Sequence, residues 1–114
     1  MSEFTFLFRG RDRSSSPEQL QKTMEKWLVW FKDLNAKGLM RDPGNPLAVG
    51  GKVVSGREKI VSDGPFAEAK DVIGGYIVIE AATLAEATDI AKGCPILDVD
   101  GSVEVRQVEI VNRQ

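Results

Sequence analysis

Residues 62–76 read Ser-Asp-Gly-Pro-Phe-Ala-Glu-Ala-Lys-Asp-Val-Ile-Gly-Gly-Tyr and restrict the fold more than any other stretch of the chain. Asp63-Gly64 suits a tight turn, in which Gly takes positive φ and the Asp side chain bonds its own backbone. Pro65 then fixes φ and removes a backbone donor, so the preceding strand must end here. Gly74-Gly75 lets another backbone or a ligand approach closely. From Tyr76 to Ile79 the chain is continuously apolar and reads as a central strand, with Ile77 and Ile79 on one face and Tyr76 and Val78 on the other.

The other elements follow from local pattern. Phe4, Phe6 and Phe8 alternate with Thr5, Leu7 and Arg9, which is the period of a strand. Ser16-Pro17-Glu18-Gln19 opens a helix: Ser16 caps, Pro17 takes the first position, and Gln19 closes a capping box. Leu20, Met24, Trp27, Leu28, Phe31 and Leu34 recur at helical spacing as one apolar stripe, with Trp30 on its flank and Val29 opposite. Lys37 suits the negative helix end and Gly38 the left-handed cap. Arg41 to Pro46 is a loop, and residues 47–54 and 57–62 are expected as two short strands joined around Ser55-Gly56. Thr83-Leu84-Ala85-Glu86 starts a second helix with Leu84, Ala87, Ile90 and Ala91 inward, ended by Gly93 and Pro95. Val103 to Ile110 forms the last strand, with a phase change near Arg106-Gln107 expected as a bulge. The order is that of a ferredoxin-like α+β domain, βαββ(β)αβ, with an extra hairpin strand and two helices on one face of an antiparallel sheet.

At 114 residues the chain is one domain over 1–114, able to bury a core without disulfides or metal. A net charge of -2 gives no general attraction to nucleic acid or an anionic membrane. No apolar run reaches membrane-spanning length, and Met1-Ser2-Glu3-Phe4 does not begin like a secretory signal. The single cysteine fits a reducing cytoplasm. The absence of histidine excludes His-based zinc sites, Ser-His and Cys-His nucleophile pairs and imidazole acid–base catalysis. No cofactor or metal site is expected. Two helices cover only one sheet face, yet Leu7, Tyr76 and Val78 make the other face apolar, so a homodimer is expected.

The Asp-Gly-Pro-Phe order at 63–66, with Ser16-Pro17-Glu18-Gln19, Gly93-Cys94-Pro95-Ile96 and Gly101-Ser102-Val103-Glu104-Val105-Arg106, resembles the YCII-related family, also called DGPF-domain proteins. The resemblance runs over nearly the whole chain. It implies a dimeric α+β barrel, in which two sheets pair face to face. In the branch with a proposed active site, a histidine pairs with an aspartate; this chain has no histidine, so that dyad cannot form. Relatives of this barrel architecture include enzymes acting on small, often aromatic or chlorinated molecules. Genes of the family often stand beside those for extracytoplasmic-function sigma factors, which implies a regulatory protein partner.

Each candidate site residue also has a structural reading. Asp63 is the candidate catalytic residue, as a general base, or the anchor for a ligand amine or hydroxyl; alternatively it stabilises the turn. Glu68 and Lys70, with Phe66 beside them, are ligand-binding candidates or a solvated surface pair. Tyr76 presents its hydroxyl to a pocket or packs in the core. Arg9, with Arg11 and Arg13 before a helix start, binds an anion or belongs to a hydrophilic loop. Trp27 and Trp30 are candidates to line a pocket between helix and sheet; Trp27 more simply packs in the core, and Trp30 with Val29 equally suits a contact surface. Cys94, at a helix end, is expected to pack. These residues support a dimeric small-molecule-binding protein with a cleft near the Asp-Gly-Pro-Phe turn. The alternative is a non-catalytic interaction module with an exposed patch at Val29 and Trp30.

Overall fold

The computed structural model describes residues 1–10, 16–64 and 71–111. Its elements are β1 (Ser2–Arg9), α1 (Pro17–Ala36), β2 (Met40–Asp42), β3 (Gly51–Ser55), β4 (Ile60–Gly64), β5 (Ile73–Ala81), α2 (Leu84–Ala91), a 3-10 turn (Pro95–Val99) and β6 (Ser102–Gln107). The main sheet runs β2-β5-β1-β6, with every pair antiparallel. With β3 and β4 set aside, this is the ferredoxin-like α+β order.

The alternation of β1 places the core. Phe4, Phe6 and Phe8 are buried, and Phe4 and Phe6 stand opposite the buried Ile79 and Ile77 of β5. Trp30 and Leu34 of α1 and Ala87 and Ala91 of α2 cover that face. Full burial of each large side chain contributes roughly 2 kcal/mol, so this phenylalanine–isoleucine layer holds the sheet to its helices. Trp30 stacks against Phe6 with ring centroids 6.3 Å apart.

The first helix begins and ends by local chemistry. The Ser16 hydroxyl accepts the Gln19 N–H and the Gln19 side chain accepts the Ser16 N–H, both at 3.2 Å, which is the expected capping box. At the other end Gly38 has φ 70°. The Leu39 N–H donates to the Leu34 carbonyl at 2.9 Å and the Gly38 N–H to Asn35 at 3.0 Å, the two bonds of a Schellman cap.

The structure departs from the sequence pattern in several places. The α1 stripe is rotated: Trp30 is buried, while Leu20, Met24 and Leu28 are 48%, 61% and 63% exposed and Trp27 and Phe31 are half-buried. An apolar arc this wide cannot all meet a flat sheet, and Trp30 fills the space above Phe6 and Phe8. The fourth strand of the main sheet is β2, in a stretch expected as loop, whereas β3 and β4 form a separate two-stranded ribbon. In α2 the Thr83 hydroxyl accepts the Glu86 N–H, but the Glu86 carboxylate takes the Ala82 N–H, one residue before the expected partner, and Leu84 is exposed. Finally, β6 ends at Gln107, so the phase change there is a strand end and not a bulge.

On the face of the sheet away from the helices, Leu7, Tyr76 and Val78 are half-buried. Ion pairs between Arg9, Glu104 and Arg106 and between Arg41 and Glu80 flank them.

Candidate functional site

The connection after β2 is pinned to the start of β5. The Asp42 carboxylate accepts the Gly44 N–H at 2.8 Å, and Gly44 sits at φ 56°. A Cβ at position 44 would overlap the Tyr76 carbonyl oxygen and lie 2.7 Å from its carbon, so only glycine fits. The Leu47 N–H donates to the Gly74 carbonyl at 2.8 Å, and Pro46 forms a bridge with Gly75. A Cβ at Gly75 would meet the Asn45 oxygen and the Pro46 Cα at 3.3 Å. Of the two uses open to Gly74-Gly75, close approach of a second backbone is the one observed.

This connection forms one wall of a cavity of about 530 Å³ on the helix side of the sheet. Phe8, Trp27 and Phe31 form the aromatic wall, with Met24 and Leu28 toward solvent and Ile96 beside them. Residues 43–46 and 74–77 complete the lining. The rings are set edge to face: Trp27 lies 5.0 Å from Phe8 at 81° and 5.7 Å from Phe31 at 79°. Edge-to-face pairs of this kind fix ring positions beyond simple burial. The exposed side of the α1 stripe thus lies over the cavity.

Of the residues expected at a site, Tyr76 borders this cavity. It is half-buried and, by the alternation of β5, projects from the face opposite Ile77. Asp63 does not line the cavity. It lies within β4, and its carboxylate accepts from the Lys52 ammonium across the ribbon at 2.5 Å with the side chain 90% exposed. Gly64 is likewise in the strand without positive φ, so the expected turn does not form at Asp63-Gly64. The reason is cross-strand pairing: Lys52 stands opposite Asp63 and Gly51 opposite Gly64, which extends the ladder through both residues. Phe66, Glu68 and Lys70, like Arg11 and Arg13, fall outside the described residues.

Arg9 is committed to protein groups. Its guanidinium donates to the Glu104 carboxylate at 2.9 Å and to the Asp71 carbonyl at 2.6 Å. Arg106 donates to the other oxygen of Glu104 at 3.1 Å. These hydrogen bonds, from Arg106 first and then Arg9, hold the Glu104 carboxyl below its ordinary range. Arg9 therefore ties the chain at Asp71 to the edge strand β6. Cys94 is buried, and burial pushes its thiol up to about 12, which suits packing and not reactivity.

Among the lining residues, Tyr76 and Gly74-Gly75 were legible in the sequence as candidates, Trp27 read more simply as core, and Phe8, Phe31, Met24, Leu28 and the Pro43–Pro46 wall were not legible. One signal was available: an α1 stripe with more apolar residues than a two-layer contact needs.

The chain belongs to the YCII-related domain family, whose signature matches residues 4–112. It is 42% identical over 57 residues to the uncharacterized protein R00369 of Rhizobium meliloti (strain 1021), a stretch covering 49% of this chain and 46% of that protein. The match thus spans about half the length of that relative. A solved structure, 5-chloro-2-hydroxyhydroquinone dehydrochlorinase from Burkholderia phenoliruptrix AC1100 in complex with 2,5-dihydroxybenzoquinone, covers 94% of this chain and is covered over 93% of its own. The TM-score is 0.44 at 18% identity, a likeness too slight to carry an argument about chemistry or assembly.

Proposed function

Proceeding from its place in the YCII-related family, we propose that this protein is a homodimer whose subunits each bind a small molecule in the cavity between α1, residues 43–46 and the start of β5. The observation that carries the reading is the cavity's construction. Its loop wall is tied down by the Asp42–Gly44 and Leu47–Gly74 hydrogen bonds, and its helix wall is a set of interlocked aromatic rings. A preformed, mostly apolar concavity of this size is the usual form of a small-molecule site. Asp63, engaged by Lys52 and outside the lining, is not required for it.

Dimerisation is supported by the open sheet face, where Leu7, Tyr76 and Val78 form an apolar centre rimmed by ion pairs. The interaction-module alternative drew in part on a patch at Val29 and Trp30. Trp30 is buried within its own chain while Val29 is exposed, so the patch does not form as expected and the alternative keeps only its family context.

Two measurements test the proposal. Sedimentation velocity is expected to give twice the monomer mass, with Leu7→Lys shifting the protein to monomer; a wild-type monomer ends the dimer reading. A thermal-shift screen of small aromatic and polar molecules is expected to yield stabilising ligands, since binding to the native state raises the melting temperature by mass action. If no compound shifts the transition, the cavity is not a ligand site.

A further inference from the structure

We infer that the cavity selects uncharged aromatic molecules and excludes carboxylates and phosphates of the same shape. The inference rests on the small-molecule reading above and specifies its ligand. Charged residues make up 28% of the chain, yet none of the described residues lining this cavity carries a charge. An anion entering it would leave water without meeting a cation among the described lining residues, and an unpaired charge is costly in apolar surroundings. The two prolines of the loop wall have no N–H to offer in compensation.

The groups that are present suit a flat, neutral ring. Trp27 stands edge to face with Phe8 and Phe31, an arrangement that a further aromatic ring can join. Asn45 is among the lining residues, and an amide side chain both donates and accepts, so it can read a hydroxyl or carbonyl on the ring directionally without any charge. The walls cannot readily rearrange to import a charged group. Gly44 is locked against the Tyr76 carbonyl, and Leu47 is bonded to Gly74.

The test uses the full chain at about pH 7, with 2-naphthol, 2-naphthoate and naphthalene as probes. Affinity is read by isothermal titration calorimetry and location by quenching of Trp27 fluorescence, assigned with Trp27→Phe. The expected result is 2-naphthol binding at least about tenfold tighter than 2-naphthoate, because an unpaired buried charge costs more than the 1.4 kcal/mol that a factor of ten represents. Leu28→Arg, at a position 63% exposed, adds a cation at the rim and is expected to narrow or reverse that preference. Asn45→Ala is expected to weaken 2-naphthol while leaving naphthalene unchanged. Equal or tighter binding of 2-naphthoate by the wild type overturns the selectivity while leaving the site intact. Failure of all three probes to bind overturns both the selectivity and the site.

Discussion

Gly44→Ala probes the joint on which the cavity depends. Two costs arise at once. Residue 44 sits at φ 56°, where a side chain costs roughly 1 kcal/mol. The added Cβ would also overlap the Tyr76 carbonyl oxygen and lie 2.7 Å from the carbonyl carbon, so the loop must retreat from β5. A retreat on the order of 1 Å breaks the Leu47–Gly74 and Asp42–Gly44 hydrogen bonds, worth about 1 kcal/mol each. The expected loss is about 3 kcal/mol. Gly38→Ala is the matched control, because Gly38 has φ 70° but nothing within 4 Å of an added Cβ. It incurs the backbone strain alone, about 1 kcal/mol. Urea denaturation of the two variants, followed by circular dichroism, should therefore separate them by about 2 kcal/mol, or on the order of 10 °C in Tm. Equal destabilisation would refute the claim that the loop is locked to Tyr76.

Three further outcomes are expected. Asp63→Ala should change stability by less than about 0.5 kcal/mol, since its pairing with Lys52 is at the surface; a larger loss in urea denaturation would assign the residue a structural role that the ribbon does not explain. Glu104 has a folded-state pKa below its unfolded value, so its contribution to stability is present above the ordinary carboxyl range and is lost as pH falls through the depressed value. Carboxyl NMR should find its midpoint moving up in Arg106→Met, and an unmoved midpoint would remove Arg106 as the main cause. Cys94, buried and with its thiol raised to about 12, should react with a thiol reagent only at the rate at which the protein opens; fast labelling of the native state would contradict its burial.

Elements whose causes are local are legible in the sequence. The phenylalanine alternation of β1, the box at Ser16–Gln19, the left-handed cap at Gly38 and the two faces of β5 all appear as the spacing predicts. Their hydrogen bonds and side-chain periods involve residues a few positions apart, so the linear order contains the information. It also identified Gly74-Gly75 and Tyr76 as a place of close approach, though not what approaches. That the backbone of 44–46, about thirty residues away along the chain, takes that place is an outcome of tertiary packing. Tertiary packing likewise sets Lys52 opposite Asp63 in a ladder and turns Trp30, not Leu28, toward the phenylalanines. An amphipathic helix specifies an apolar arc but not its rotation against a sheet, because that angle is set by which side chains fill the gap without leaving a void. Here the rotation that seats Trp30 also leaves Met24, Trp27, Leu28 and Phe31 around the cavity.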